Sequence, residues 1–183
     1  KGEKDSRNWR KPSIEVNKRY LAEWVKIEDV DPDDDTMRYE GLGKGATPFS
    51  RPEGIVADRN SLYICCTSGG PLKRGQIWKI TPVNKKETQV ELWYEVQVGA
   101  RLNKPDNIVV APWGDLIVCE DNPDIDRLWG IKPNGEVYLI AENNYSSAEL
   151  AGVCFNTLNN ILYLNIQQNG QTLAIDGDWN NVR

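Results

Sequence analysis

The sequence has 183 residues, of which 39% are hydrophobic and 27% charged, and no apolar run approaches the ~18 residues typical of a membrane helix. Its net charge of -5 disfavours a nucleic-acid groove, because phosphate backbones are bound by clustered Lys and Arg. Histidine is absent, which excludes Ser-His-Asp and Cys-His catalysis, so any chemistry must use carboxylates, amides, hydroxyls or cationic side chains.

The N-terminal part of the chain gives weak structural signals. Residues 1–12 are charged and predict an extended or disordered lead that contributes nothing to a core. Ser13 can cap a short helix, because apolar residues follow near helical spacing, namely Val16, Tyr20, Leu21 and Trp24. We therefore expect a lead of residues 1–23 and a main domain of residues 24–183.

Two loops precede the first clear strand. The acidic run of residues 29–36 lacks the central Gly and the final Glu of an EF-hand, which favours a solvated loop over an ion site. The glycine-rich residues 41–47 do not match the Walker A pattern of a phosphate-binding loop. They predict a flexible approach to the strands that follow.

A sequence pattern then returns three times. An acidic residue and an apolar strand recur around Gly54, Asn107 and Gly152, with a slight slippage in the third copy. The spacing of roughly 50 residues is typical of propeller blades or of another stacked array. The acidic residues Glu53, Asp106 and Glu149 are thus expected at the starts of three successive strands.

Each copy begins a series of short strands separated by turns. The first copy predicts four strands within residues 54–96, and the second predicts strands at 107–111, 116–120, 127–132 and 136–141. The third predicts strands near 152–155, 161–166 and 172–176. The fold class is therefore all-β, with antiparallel units of the kind that form a β-propeller. A closed propeller typically has at least four blades, and the three units found here supply about three of them. This chain is therefore expected to cover only part of a propeller.

The four cysteines lie in apolar strand-like runs and show no CxxC spacing, which favours buried cysteine over a zinc or redox site. Alternation along a strand points the side chains of Cys65 and Cys66 to opposite faces. Trp78, Trp93 and Trp129 also lie within strand patterns. We expect these tryptophans to pack between sheets rather than to bind a ligand.

Several ordered motifs extend from about Trp24 to Trp179. They include Arg51-Pro-Glu-Gly54, Gly75-Gln-Ile-Trp78, Lys104-Pro-Asp-Asn107, Cys119-Glu-Asp121, Glu149-Leu-Ala-Gly152, Asn165-Ile-Gln167 and Ala174-Ile-Asp-Gly-Asp-Trp179. Together they resemble the successive motifs of the PhoX-type alkaline phosphatase family. The resemblance implies the C-terminal half of a six-bladed β-propeller whose channel binds calcium and iron and hydrolyses phosphate monoesters.

The resemblance also implies metal-binding residues. Glu53, Glu120 and Glu149 match positions of the family's acidic ligands, and oxygen ligands suit hard cations such as calcium and ferric iron. Further metal-ligand candidates are Asp106, Asn107 and Asp121. Since successive residues of a strand point to opposite faces, only one of the adjacent residues 120 and 121 can face the channel. For residues 106 and 107 the alternative is an Asx turn that shapes the strand entry.

Other features depart from the family pattern. None of the four cysteines matches the family's bridging iron ligand, and Gln168 and Asn169 stand where family members commonly carry His-Pro. The complete metal site is therefore not expected within this chain. The cationic candidates for binding substrate phosphate are Arg51 and Lys104, with Arg127 as a third, and an ordinary surface charge is the alternative for each.

Two other functions remain open. One is a calcium-dependent lactonase-like propeller, and the other is a non-catalytic propeller that serves as an interaction platform around structural calcium. The family resemblance implies export to the periplasm or beyond, with a small phosphate ester as the partner molecule. Three isolated blades would expose apolar sheet faces, so we expect the remaining blades to come from a longer polypeptide or from another chain.

Overall fold

A computed structural model describes residues 4–10 and 12–183. These residues form twelve strands in three antiparallel sheets, together with one short α-helix and a final 3-10 turn. The all-β fold class is therefore confirmed. Residues 1–3 and 11, which belong to the predicted lead, lie outside the described residues.

Sheet 1 is built mainly from the first sequence repeat. Its strands are β1 (Arg19–Glu23), β2 (Pro52–Asp58), β3 (Ser61–Cys66), β4 (Gln76–Pro82) and β5 (Glu87–Glu95). They lie in the order β1-β5-β4-β3-β2, so that β2 to β5 form a simple meander and β1 is added at the outer edge. The four strands predicted for the first repeat are confirmed.

Sheets 2 and 3 follow in sequence. Sheet 2 contains β6 (Pro105–Val110), β7 (Leu116–Glu120), β8 (Arg127–Ile131) and β9 (Val137–Glu142), and sheet 3 contains β10 (Leu150–Asn156), β11 (Ile161–Ile166) and β12 (Gln171–Ile175). The predicted strands of both repeats are confirmed. Gly114 and Gly135 adopt positive φ angles of 95° and 87° in the β6–β7 and β8–β9 turns, where a residue without Cβ is least strained.

The three sheets stack through their first strands, because β2 packs against β6 and β6 packs against β10. One hydrophobic cluster, which includes Ile77, Val118 and Trp129, joins sheets 1 and 2. A second cluster, which includes Ile117 and Leu162, joins sheets 2 and 3. Every residue of β7 is buried, since the neighbouring sheets cover both faces of sheet 2.

The predicted N-terminal helix is wrong, and residues 4–10 pack against sheet 1, although the lead was expected to contribute nothing to a core. Asn8 is only 1% exposed, and its amide donates hydrogen bonds to the carbonyl of Ile14 at 2.9 Å and to Glu95 Oε2 at 3.1 Å. Ile14 packs with Trp78 in a third cluster that covers the outer face of sheet 1. The segment expected to be helical forms β1 instead, paired antiparallel to β5. The open edge of β5 offers backbone partners, and this tertiary pairing overrides a weak helical pattern.

The region before β2 is also more ordered than predicted. The acidic run of residues 29–36 is an exposed loop, as expected, but a helix α1 (Met37–Gly43) follows it. This helix includes part of the stretch that was predicted to be flexible. Lys44, just after the helix, binds the Glu40 carboxylate at 2.5 Å, and Gly41 is buried.

The cysteine predictions are confirmed in part. Cys65 and Cys66 are buried free thiols that belong to different hydrophobic clusters, as strand alternation requires. Cys119 is also buried, whereas Cys154 is exposed, because it lies on the face of sheet 3 that points away from sheet 2. Trp78 faces the N-terminal segment rather than another sheet.

Within residues 4–10 and 12–183, none of the helices has the length and apolar character needed to cross a membrane.

Candidate active site

The first strands of the three sheets begin with matching main-chain geometry. In each sheet, the residue just before the first strand accepts, at its carbonyl oxygen, a hydrogen bond from the backbone amide of the residue just after the second strand. The pairs are Thr67 N to Arg51 O at 3.0 Å, Asp121 N to Lys104 O at 2.9 Å and Gln167 N to Glu149 O at 2.9 Å. In main-chain position, Glu149 of sheet 3 therefore corresponds to Arg51 of sheet 1 and Lys104 of sheet 2. It does not correspond to Glu53.

A β-bulge interrupts each of these first strands near its start. The pairing shifts at residues 53 and 54 in β2 and at residues 106 and 107 in β6. In β10 the shift comes one residue later, at residues 152 and 153, which explains the slippage seen in the sequence. A bulge redirects the side chains beside it, so Glu53 and Asp106 are presented at the strand entry rather than along a regular sheet face.

Four carboxylates gather where β6, β7, β8 and β10 meet, and we call Asp106, Asp121, Asp126 and Glu149 the acidic cluster. The carboxyl group of Glu149 lies close to that of Asp106. Burial, followed by this contact and by the charges of the other members, raises the pKa of Glu149 to about 7. Since like charges disfavour ionisation, the cluster is an environment that a bound cation would stabilise.

Arg51 connects the acidic cluster to Glu53. Its Nη2 atom lies 3.1 Å from Asp121 Oδ2 and 3.4 Å from Glu53 Oε1. The residue has a positive φ of 48°, and its side chain remains 49% exposed. The guanidinium is thus fixed by two carboxylates while one side stays open to solvent, which is a suitable arrangement for receiving an anion.

Asp126 is the most buried member of the acidic cluster, at 2% exposure. Its Oδ1 atom accepts a hydrogen bond from Asn122 N at 2.6 Å, and its Oδ2 atom accepts one from Leu150 N at 3.3 Å. Burial raises the pKa of Asp126 to about 6, although both backbone donors favour the ionised form. This carboxylate joins the β7–β8 loop of sheet 2 to the start of sheet 3.

Glu120 lies apart from the acidic cluster. Its side chain is fully buried on the sheet 1 side of β7, where Oε1 accepts a hydrogen bond from Asn103 N at 2.6 Å. Burial raises the pKa of Glu120 to about 7, and the amide of Asn103 offsets part of this effect, followed by the indole of Trp129 and the guanidinium of Arg127, which is 3.8 Å away. Among the described residues, Glu120 Oε2 and Trp129 Nε1 are both buried without a hydrogen-bond partner. Of these two adjacent acidic residues, Asp121 therefore points toward the acidic cluster and Glu120 points away from it.

The remaining candidates are less closely engaged. Asn107 lies in the β6 bulge beside Asp106. Lys104 has a positive φ of 49°, and its ammonium forms no ion pair with any described carboxylate. Arg127 donates to Glu142 at 2.8 Å and lies between this residue and Glu120. It therefore forms ion pairs within sheet 2 and does not face the open side of the acidic cluster.

The donor chemistry of the acidic cluster fits a hard cation, because carboxylate oxygens are preferred by calcium and ferric iron. In the part of the chain that the structure describes, however, no group of three or more Asp, Glu, Cys or His side chains is arranged to hold a metal ion by itself. Asp106, Asp121 and Asp126 all lie close enough to Glu149 to raise its pKa. The acidic cluster is therefore not a complete metal site within the described residues.

Sequence reasoning missed Asp126. It lies in a loop between two predicted strands, outside the repeated motifs, and a carboxylate in such a position is ordinarily solvated. The available signal was its place directly before β8, where an Asp side chain commonly accepts hydrogen bonds from nearby backbone amides. That it also reaches the amide of Leu150, 24 residues later, depends on the stacking of sheets 2 and 3.

The family comparison covers all of these residues. The profile of the family described as alkaline phosphatase PhoX matches residues 15–170, which include Arg51, Glu53 and the whole acidic cluster. No curated protein and no solved structure matches the chain significantly. The match extends over most of the sequence and agrees with the ordered motifs, so this chain belongs to the PhoX alkaline phosphatase family.

Proposed function

We propose that the protein hydrolyses phosphate monoesters at the acidic cluster, with the help of bound calcium and iron. The observation that carries this proposal is the convergence of Asp106, Asp121 and Glu149 beside the half-exposed guanidinium of Arg51. Carboxylates suit the cations, and a fixed guanidinium suits the phosphate. Membership of the PhoX family supports the reaction class.

The metal ligands that we propose are Asp106, Glu149, Asp121 and Glu53, with Asn107 as a further oxygen donor. Glu120 is left out, because it is buried on the other side of β7. Cations bound here would polarise phosphate oxygens and increase the acidity of bound water. The remaining ligands would come from the other blades of the propeller, since no group of three or more Asp, Glu, Cys or His side chains among the described residues is arranged to hold a metal ion.

Arg51 is the proposed phosphate-binding residue. Its guanidinium can donate two parallel hydrogen bonds to phosphate oxygens while Asp121 and Glu53 hold its orientation. Charge that develops on the phosphoryl group would then meet a donor that needs little reorganisation. Lys104 takes the same main-chain place in sheet 2 and can add a second, more mobile positive charge.

The wider architecture that we propose is a six-bladed β-propeller, in which sheets 1 to 3 are consecutive blades of a phosphatase domain that includes residues 24–183. The contacts of β2 with β6 and of β6 with β10 support this, since the innermost strands of a propeller adjoin one another around the axis. The other blades would belong to a longer polypeptide or to another chain. Export to the periplasm or beyond is proposed from the family alone.

The experiment compares Glu149→Gln with Glu136→Gln in the complete, metal-loaded protein. Glu136 is an exposed residue paired with Lys132, so it provides a matched control. We expect Glu149→Gln to weaken calcium binding by at least about tenfold and to lower kcat/KM for p-nitrophenyl phosphate to a similar or larger extent. The control should retain both properties. Unchanged metal content and activity in Glu149→Gln would refute the assignment.

A lactone assayed in parallel separates the competing functions. Hydrolysis of the lactone without hydrolysis of the phosphate ester would favour a lactonase-like enzyme. Tight calcium binding with neither activity would favour an interaction platform. Iron found together with calcium by metal analysis would support the phosphatase.

A further inference from the structure

We infer that Asp126 is a positioning residue, which sets the separation of Asp121 and Glu149 by holding the main chain next to each of them. This inference rests on the proposed function, because the two carboxylates that it positions are proposed metal ligands. Asp126 itself has both oxygens engaged by backbone amides. Its role is therefore exerted through its neighbours.

The first connection holds Asp121 in place. Asp126 Oδ1 accepts the amide of Asn122 at 2.6 Å, and Asn122 is the residue directly after Asp121. The amide of Asp121 in turn donates to Lys104 O at 2.9 Å. Two consecutive amides are thus fixed at this point, one to the residue just before β6 and one to Asp126. The main chain beneath the Asp121 carboxylate is consequently restrained from both sides.

The second connection holds Glu149 in place. Asp126 Oδ2 accepts the amide of Leu150 at 3.3 Å, and Leu150 directly follows Glu149. The amide of Glu149 donates to Gln168 Oε1 at 2.9 Å, and its carbonyl accepts from Gln167 at 2.9 Å. The sheet 3 ladder therefore restrains Glu149 within sheet 3. Among the hydrogen bonds of the described residues, the one from Leu150 N to Asp126 Oδ2 is the only side-chain contact that connects the start of β10 to the β7–β8 loop.

The backbone of Asp126 strengthens the connection. Its carbonyl accepts a hydrogen bond from Asn143 N at 2.8 Å, and the side-chain amide of Asn143 donates to Ala148 O at 2.8 Å. Asn143 Oδ1 also accepts the amides of Tyr145 and Ser146, at 3.2 Å each. The loop that leads from β9 to Glu149 is thus organised around these two residues. Both are buried, so water competes little for the hydrogen bonds.

The substitution Asp126→Asn tests the inference with almost no change of shape. One side-chain oxygen becomes an NH2 group, which cannot accept a hydrogen bond, so either Asn122 N or Leu150 N loses its acceptor. The matched control is Asp115→Asn. Asp115 is an equally buried carboxylate that accepts from Trp113, Tyr138 and Arg183, but it lies in the β6–β7 turn at the opposite end of sheet 2.

Two measurements on the complete protein are needed. Amide hydrogen exchange should show faster exchange at residues 121–122 and 149–150 in Asp126→Asn than in Asp115→Asn, after both are compared with the unsubstituted protein. Calcium affinity, measured by calorimetry with calcium alone, should fall by about 10- to 100-fold in Asp126→Asn and remain within about threefold in the control.

The outcomes separate the inference from the proposed function. Unchanged exchange at residues 121–122 and 149–150 in Asp126→Asn would overturn the positioning role. So would an equal loss of calcium affinity in both variants, because this would indicate general destabilisation. If the unsubstituted protein binds no calcium, the proposed function fails, and the local exchange rates alone decide whether Asp126 restrains the two strand ends.

Discussion

Gly54 in β2 lies directly against the main chain of Asp106 in β6. A Cβ atom on Gly54 would be 2.4 Å from the Asp106 carbonyl oxygen and 3.0 Å from the Asn107 Cα atom. Both neighbours are backbone atoms, so they cannot move aside as a flexible side chain can. The absence of a side chain at this position therefore permits the close approach of the first strands of sheets 1 and 2.

Gly54→Ala should destabilise the protein by about 1–3 kcal/mol, because the added methyl group must separate β2 from β6. The same displacement would move Arg51 and Glu53 away from Asp121. The free energy of unfolding, measured by chemical denaturation, checks the effect. Gly177→Ala is the control, since a Cβ there meets no atom within 4 Å. Equal stability of the two variants would contradict the importance of this strand contact.

Trp179→Ala should cost about 3–5 kcal/mol of unfolding free energy. The ring centroid of Trp179 lies 5.3 Å from that of Trp113 and 5.6 Å from that of Phe155. The indole Nε1 donates a hydrogen bond to Asn160 O at 2.9 Å. It thereby joins the C-terminal segment to both sheet 2 and sheet 3. Trp24→Ala removes an indole that is 52% exposed and should change stability much less. Thermal unfolding followed by circular dichroism can compare the two variants.

Asn8→Ala should release the N-terminal segment from sheet 1. The substitution removes the hydrogen bonds that Asn8 Oδ1 accepts from the amides of Ser13 and Ile14, and those that its Nδ2 donates to Ile14 O and Glu95. It also places Ala at a φ of 54°, which adds backbone strain. We expect a loss of about 2 kcal/mol or more and faster tryptic cleavage near Arg7 and Arg10.

The control for this prediction is Asn17→Ala. Asn17 is exposed and has a similar φ of 62°, so its substitution reproduces the backbone strain without removing a buried side-chain network. If both variants are cleaved at the same rate, the buried hydrogen bonds of Asn8 do not hold the segment.

Tyr138 should make stability depend on alkaline pH. Burial and the hydrogen bond that its hydroxyl donates to Asp115 at 2.8 Å raise the pKa of Tyr138 to about 12, above its ordinary value of 10.0. The folded protein thus favours the neutral phenol more than the unfolded chain does. This contribution is fully present below pH 10 and is lost as the pH rises through 12.

Tyr138→Phe should accordingly be less stable than the unsubstituted protein by about 1–2 kcal/mol at pH 8, and the difference should shrink above pH 11. Ultraviolet titration should also show the loss of one late tyrosine ionisation. Tyr145→Phe is the control, because Tyr145 is 70% exposed. A constant stability difference from pH 8 to pH 12 would contradict the predicted linkage.

Local sequence patterns determined much of this fold. The eleven strands from β2 to β12 were predictable because short apolar runs and turn residues act over a few neighbours. The acidic residues at the strand starts were also visible, as part of the motifs around Glu53, Asp106 and Glu149. The family followed from the order of these motifs, and the match over residues 15–170 confirms it.

Long-range contacts decided the rest. β1 forms because β5 has an open edge, although its own sequence suggested a helix. The orientation of Glu120 away from the acidic cluster depends on how sheet 1 covers β7, and the role of Asp126 depends on an amide in the next sheet. Periodicity defines which residues share a face, but burial, register and bulge position define which carboxylates meet. Those properties arise only when the three sheets pack together, since each requires partners far apart in the chain.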